Sequence, residues 1–141
     1  MIRYLLDTNI VIYVIKRRPL EVLQTFNQNN GRLAISTITL AELFHGAEKS
    51  TRVADNLRLI DDFISRLEVL PYTAKMAQHY GSIRAALEQK GIPIGVNDLH
   101  IAAHARSEGL VLVTNNLNEF IQVPALQTEN WIEEKRESPA K

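Results

Sequence analysis

Three acidic residues in this sequence stand among apolar or small side chains. Asp7 follows a short run of Tyr and Leu, Glu42 lies among Ile, Leu and Ala, and Asp98 opens a stretch rich in Ala. Carboxylates in such surroundings are rare unless they are paired or bound to a cation. No Lys or Arg adjoins any of the three. Because carboxylate oxygens are preferred ligands of Mg²⁺ and Mn²⁺, the set is suited to metal-ion chemistry.

The position of Asp7 also allows a simpler interpretation. Asp, Thr and Asn are good helix caps and turn formers, so the segment Asp7-Thr8-Asn9 would fit the start of a helix after a strand. Similar polar residues recur, however, after a later predicted strand, at Thr114, Asn116 and Glu119. The carboxyl ends of parallel strands lie at one edge of a sheet, where open α/β folds bind ligands. Carboxylates gathered there would repel one another, and a divalent cation would relieve that repulsion.

The elements that position these residues alternate along the chain, which predicts an α/β fold with a short parallel sheet covered by helices on both faces. Strands are predicted at 4–6, 33–36, 68–70, 110–114 and near 126–131. Helices are predicted at 10–15, 19–29, 37–49, 55–67, 73–90 and 98–108, with a short one at 119–120. We expect Pro19 at the first position of its helix, Thr37 or Thr39 as the cap of the third helix, and Asn97 as the cap of the helix holding Asp98.

Length and composition limit the class of protein. The chain has 141 residues, 45% of them hydrophobic, with no Cys and a formal net charge of zero. These values favour one compact domain. They exclude a thiolate metal site and are typical of a reducing cytosol. The longest apolar run, 10–15, is too short to span a membrane, and the start of the chain lacks the pattern of a signal peptide. We expect a domain at 1–132, followed by a polar tail at 133–141.

Four segments together carry a family resemblance: Leu6-Asp7-Thr8-Asn9, Ala41-Glu42-Leu43, the stretch 95–105 and Val113-Thr114-Asn115-Asn116. In order and spacing they resemble the signature segments of PIN domains, and most closely those of the VapC ribonuclease toxins of type II toxin–antitoxin modules. The resemblance implies a single PIN-like domain over 1–132. It also implies that Asp7, Glu42 and Asp98 form the catalytic site, with Mg²⁺, or Mn²⁺ in its place, held by Asp7 and Asp98.

The resemblance gives further residues auxiliary roles. Thr8, Asn9 and Thr114 would orient the carboxylates through hydrogen bonds. At Asn116 the sequence departs from the family, because many members carry Asp there. Either Glu119 supplies the missing charge, or Asn116 binds the metal as a neutral ligand.

The basic segment Lys16-Arg17-Arg18 has two interpretations. Such residues are often a solvated helix end that suits the helix dipole, but in an RNA-cutting enzyme they are also candidate phosphate contacts. His100 and His104 have the i, i+4 spacing of a zinc helix, yet Ile101 stands where a zincin has Glu. We therefore expect partly buried or substrate-facing roles for these histidines and no zinc.

Partners and activity are expectations that follow from the resemblance. It implies a cytoplasmic endoribonuclease that hydrolyses phosphodiester bonds in structured RNA, with a tRNA anticodon loop as the first candidate, and so inhibits translation. It also implies a homodimer, a cognate VapB-like antitoxin, and operator DNA contacted through that antitoxin. The alternative is a catalytically weak PIN module that serves as an antitoxin-binding co-repressor. The neutral Asn116 favours the alternative, and the intact set of three acids opposes it.

Overall fold

A five-stranded parallel sheet forms the centre of the computed structural model, which describes residues 1–132. The strands are β1 (Tyr4–Leu6), β2 (Leu33–Ser36), β3 (Glu68–Leu70), β4 (Val111–Val113) and β5 (Thr128–Glu129). Their spatial order is β3-β2-β1-β4-β5, and every neighbouring pair is parallel. The predicted tail at 133–141 lies outside the described residues.

Seven helices in the described residues connect and flank the strands. They are α1 (Thr8–Lys16), α2 (Leu20–Gln28), α3 (Thr37–Glu48), α4 (Val53–Ile64), α5 (Ala74–Gln89), α6 (Val96–Ser107) and the short α7 (Leu117–Phe120). Within this part of the chain no helix has both the length and the apolar character needed to cross a bilayer.

The alternation of side chains along β1 divides the core in two. Tyr4 and Leu6 pack into a cluster with α1, α2, α3 and α4, whereas Leu5 packs into a second cluster with α5 and α6. Both faces of the sheet are therefore covered by helices, which confirms the predicted α/β class. A parallel sheet buried on both faces explains why its strands read as short, continuous apolar runs in the sequence.

The strand order predicts a ligand-binding crevice at the carboxyl ends of β1 and β4. From β1 the chain proceeds through β2 to β3 on one side, and then returns to β4 and β5 on the other. Such a reversal leaves a crevice at the carboxyl ends of the two central strands. The first residue beyond β1 is held there, because the Asp7 N–H donates to the carbonyl oxygen of Val113 at 3.0 Å.

Several predicted helix starts were wrong, and the backbone gives the reasons. Ser36 caps α3, since its Oγ accepts a hydrogen bond from the Ile38 N–H at 3.1 Å, so neither Thr37 nor Thr39 is the cap. At α6 the extended residue before the helix is Gly95, which places Asn97 inside the first turn rather than at the cap.

The other helix starts also differ from prediction by one or two residues; α1, for example, begins at Thr8 rather than at residue 10. Pro19 has an extended backbone and precedes α2, so it occupies the cap position and not the first helical one. Helix α4 begins at Val53, earlier than the predicted residue 55.

Candidate active site

Asp7 combines the two roles that its position in the sequence suggested. Its side chain accepts a hydrogen bond from the Ile10 N–H at 2.9 Å and so caps α1, while the residue is only 3% exposed at the end of β1. Burial raises the pKa of the Asp7 carboxyl, and hydrogen bonds from Thr114 and Ile10 partly offset the rise. The nearby charges of Glu42 and Glu119 raise this pKa further. A helix cap is thus also a member of an acidic cluster.

Asp98 lies in the first turn of α6 and shows the largest perturbation in the cluster. Burial is the main cause that raises its pKa to about 7, and the charge of Glu119 is the next. A hydrogen bond with Glu119 and the charges of Asp7 and Glu42 act in the same direction. Perturbation by burial together with several like charges is typical of functional sites.

Glu42 approaches the cluster from α3. The Thr8 hydroxyl, on the first residue of α1, donates to Glu42 Oε1 at 2.7 Å. This bond joins the helix that follows β1 to the helix that follows β2. The side chain of Thr8 therefore fixes the orientation of Glu42, which agrees with the auxiliary role expected of it.

The fourth acidic side chain comes from α7. Asp98, when protonated, donates a hydrogen bond to Glu119, and the charge of Glu119 is the charged contribution that raises the pKa of Asp98 most. The amide of Asn116 in turn donates to Glu119 Oε2. Of the two options left open for this end of the site, the structure brings the Glu119 carboxylate among the other acids and uses the Asn116 amide to hold it. The catalytic role of Glu119 itself stays a prediction.

The remaining predicted auxiliaries are placed differently. Thr114 is fully buried, hydrogen-bonds to Asp7, and accepts a hydrogen bond from the Asn116 N–H at 3.0 Å, so it belongs to the site. Asn9 is exposed, and among residues 1–132 its side chain has no hydrogen bond to the carboxylates. The structure therefore does not bring Asn9 into the cluster.

The chemistry of the donor set fits a divalent cation. Within residues 1–132 none of the ion pairs involves these four acids, so their mutual repulsion is not compensated by a basic side chain. No three His, Asp or Glu side chains of the described part form a complete metal cage. Mg²⁺ does not require one, because it keeps several waters and binds through one or two carboxylates. That Asp7 and Asp98 form this pair stays a prediction.

A groove extends from the cluster between α1, α3 and α4, with a volume of about 310 Å³. Thr8 and Glu42 line one end, and Lys16, Gly46 and Leu59 line the remainder. Leu59 is 47% exposed although its helix is amphipathic. The groove was not predicted from the sequence, because its walls come from three helices that are distant in the chain.

The predicted basic residues lie at the end of α1. Lys16 is the last residue of that helix, and Arg17 closes it in a left-handed conformation with φ of 59°. All three side chains of the segment, including Arg18, are exposed. This placement suits a solvated helix end, and Lys16 in addition lines the groove that Glu42 enters. A phosphate contact stays a prediction.

Comparison with known proteins identifies the family. The family model described as "PIN domain" matches residues 4–126. A ribonuclease VapC2 of Haemophilus influenzae is 61% identical over 94% of this chain and 100% of its own length. A tRNA(fMet)-specific endonuclease VapC of Shigella flexneri is 50% identical over 93% of this chain and 99% of its own length.

A solved structure agrees with the sequence relatives. The DNA-bound VapBC of Salmonella typhimurium matches with a TM-score of 0.90 and 50% identity, covering 94% of this chain and 100% of that one. Both the acidic cluster at the β1 and β4 ends and the full-length matches therefore lead to one conclusion: the chain belongs to the PIN-domain family and, within it, to the VapC ribonucleases.

Proposed function

We propose that this protein is a Mg²⁺-dependent endoribonuclease that acts as the toxin of a VapBC module by cleaving a tRNA. The observation that carries the metal-dependent activity is the convergence of Asp7, Glu42, Asp98 and Glu119 without a basic partner among residues 1–132. The initiator tRNA is the substrate we favour, since a relative with 50% identity is named for it. Within that RNA, the anticodon loop offers unpaired nucleotides, which proteins recognise more readily than a helix.

The chain's own residues have distinct tasks in this proposal. Asp7 and Asp98 would hold the ion, and its chemistry when bound is to polarise a phosphodiester oxygen and make a water more acidic. Thr114 and the Ile10 N–H fix the Asp7 carboxylate, and Thr8 fixes Glu42. Glu42 either binds through a water or orients the attacking water. Hydrolysis by water leaves a 5′-phosphate and a 3′-hydroxyl and does not need the 2′-hydroxyl.

The groove beside the site suits an antitoxin segment. We propose that a VapB-like partner lays a helix into it and directs a basic side chain at the acids, because an apolar groove that contains the Glu42 carboxylate is complementary to an amphipathic helix with a cation. In the solved relative the toxin and antitoxin are seen together with DNA. By analogy, this protein would form a homodimer and reach operator DNA through its antitoxin. Bound antitoxin would neutralise the cluster and exclude the metal.

The test is cleavage of a defined RNA. An initiator tRNA transcript is incubated with the purified protein in Mg²⁺ or in EDTA, and the new 5′ ends are sequenced with and without a requirement for 5′-phosphate. We expect one dominant cut that needs the metal and carries a 5′-phosphate. Cleavage of a different tRNA, but not of the initiator tRNA, would show that the proposed substrate is wrong. No metal-dependent cleavage of any cellular RNA would favour the alternative of a co-repressor without catalysis.

A further inference from the structure

An aromatic cluster is built partly on α6, the helix that carries Asp98, and takes no part in the mechanism described above. It consists of Tyr72, Tyr80, Arg84 and His100, and this name is kept for these four residues. The rings of Tyr80 and His100 are parallel, with centroids 4.2 Å apart and an interplanar angle of 11°. Tyr72 meets His100 edge to face, and its hydroxyl shares a hydrogen bond of 2.7 Å with His100 Nδ1.

The cluster lies at the same edge of the sheet as the acids. Tyr72 comes two residues after β3 ends, and its N–H donates at 3.2 Å to the hydroxyl of Thr37, the first residue of α3. His100 lies two residues after Asp98 in α6, so their side chains leave the helix on different sides. A helix with its side chains is about 10 Å across. A strand of RNA whose phosphate contacts Asp98 can therefore reach the cluster with a nearby nucleotide.

The cluster is not the main contact between α5 and α6, although Tyr80 also packs against the buried core between them. Fully buried side chains make the main contact, among them Ile83 and Leu87 from α5 and Leu99 and Ala102 from α6. Tyr72, Tyr80 and His100 instead remain partly exposed to solvent. Two parallel rings that solvent can reach present a flat surface of the kind on which unpaired bases stack.

Arg84 adds a cation to this surface. Its Nη1 donates to the Tyr80 hydroxyl at 2.7 Å, and its guanidinium carbon lies 5.9 Å from the centre of the Tyr80 ring. The Arg84 side chain is 46% exposed, and its Nε lies 3.6 Å from Glu88 Oε2. This is a loose pair at the surface, which contributes little binding energy. A phosphate can therefore compete for Arg84. The acidic cluster repels the RNA backbone, and a cation on α5 would offset part of that repulsion.

Resting on the proposed ribonuclease function, we propose that the aromatic cluster is a nucleobase subsite. An unpaired base next to the cleaved phosphodiester stacks on the Tyr80–His100 pair, and Arg84 contacts a phosphate of the same strand. Tyr72 positions the His100 ring through their hydrogen bond. Recognition by stacking accepts any base, so the subsite contributes affinity and placement of the strand rather than a sequence code.

The experiment measures binding and cleavage separately with the full-length protein. The dissociation constant for an initiator tRNA transcript is measured in EDTA, and kcat and KM are measured in Mg²⁺. Tyr80→Leu and His100→Leu should each weaken RNA binding about tenfold or more and raise KM, with kcat at saturation changed much less. Tyr80→Phe keeps the ring and should bind within about threefold of wild type.

Matched variants separate stacking and charge from folding. Arg84→Gln should weaken binding and reduce its dependence on salt. Arg58→Gln removes the same charge from an exposed position on α4 and should leave binding unchanged. Thermal melting identifies any variant that fails to fold. Comparison of RNA binding by folded Tyr80→Phe and Tyr80→Leu then shows whether the ring at position 80 contributes to binding.

The failures of the two proposals are distinguishable. If the wild type cleaves tRNA but Tyr80→Leu and His100→Leu bind it as tightly as the wild type, the nucleobase subsite is wrong and the ribonuclease proposal stands. If the wild type neither binds nor cleaves RNA, the proposed function fails, and the subsite fails with it.

Discussion

Burial raises the pKa of both Asp7 and Asp98, but their neighbours have opposite effects on the ionised form. Asp7 accepts hydrogen bonds from Thr114 and from the Ile10 N–H, which favour its ionised form. The principal neighbour of Asp98 is instead another carboxylate, Glu119, whose charge favours the protonated form. In the metal-free protein Asp98 therefore holds its proton up to about pH 7. Its ionisation is the step that binding of a cation would favour most.

Replacing Asp98 by Asn tests this at the level of one side chain. The change keeps the size of the group and removes a charge that burial and three carboxylates oppose. Cleavage of tRNA should fall by about a thousandfold or more, since a ligand and its metal are lost together. Metal-free protein should become more stable at pH 8 by about 1–2 kcal/mol, after allowance for partial exposure. Urea unfolding in EDTA measures the second effect, and undiminished cleavage by the folded variant would refute the assignment.

Substitution of Glu119 tests how neighbouring charges determine the pKa of Asp98. Glu119→Gln removes the largest charged contribution to the raised pKa of Asp98. The pKa should fall, and the pH at which cleavage reaches half its maximum should move to a lower value. The loss of activity should be smaller than for Asp98→Asn, because the direct ligands remain.

The measurement for this variant is the pH dependence of kcat/KM. Glu48→Gln is a matched control, since Glu48 is exposed on α3 and loses the same charge. A loss as severe as that of Asp98→Asn would make Glu119 a direct member of the site.

At the scale of elements, one buried serine joins the two helices that carry Glu42 and Asp98. Ser36 ends β2 and caps α3, the helix of Glu42. Its hydroxyl also shares a hydrogen bond of 2.8 Å with Nδ1 of His104, on α6, the helix of Asp98. His104 is fully buried, and its Nε2 has no hydrogen-bond partner among the described residues. Ser36 thus helps to determine how the two helices are placed relative to each other.

Ser36→Ala should therefore affect stability and activity together. It removes a helix cap and leaves His104 Nδ1 buried without a partner, which we expect to lower the free energy of unfolding by about 2 kcal/mol or more. Urea unfolding of the metal-free protein measures the change, and kcat should fall as well. Ser65→Ala, which removes an exposed hydroxyl from the end of α4, should stay within about 0.5 kcal/mol of wild type. Equal stability of the two variants would contradict the proposed link.

Elements were easier to predict from the sequence than the contacts between them. The strands were found because a parallel sheet buried on both faces needs continuous apolar runs. Helix starts were less certain, because Ser36, Thr37 and Thr39 are all capping types and only the backbone conformation decides which one serves. The bond between Ser36 and His104 joins residues 68 positions apart and has no local signal. The approach of Glu119 to Asp98, by contrast, was one of the two options that the sequence left open, and the folded chain was needed to choose between them.

At the scale of the whole molecule, a neutral protein carries a concentrated negative site. Lys plus Arg equals Asp plus Glu at 16 each, so net charge does not favour RNA binding. Under the proposed function, association with RNA must then depend on local features, such as a metal ion at the acids and the exposed basic segment Lys16-Arg17-Arg18. The charge of the site also makes the stability of the metal-free fold depend on pH.

The sign of that dependence follows from the folded and unfolded pKa values. Asp98 has a pKa of about 7 in the folded protein and about 3.9 when unfolded. Between these values the folded state binds the proton more tightly, so the contribution of Asp98 to stability is present below about pH 4 and is lost as pH rises to about 7. The burial of His104 lowers its pKa and acts in the opposite direction, weakening the fold as pH falls through its unfolded value.

The contribution of Asp98 is therefore isolated by comparing wild type with Asp98→Asn. In EDTA, the melting temperature of the wild type should fall relative to that of the variant as pH rises from 5 to 8, because His104 is common to both proteins. Added Mg²⁺ should raise the melting temperature of the wild type more at pH 8 than at pH 5, since the ion competes with the proton for the Asp98 carboxylate. The variant should respond weakly at both values. An equal response of the wild type to Mg²⁺ at pH 5 and pH 8 would mean that Asp98 does not bind the ion.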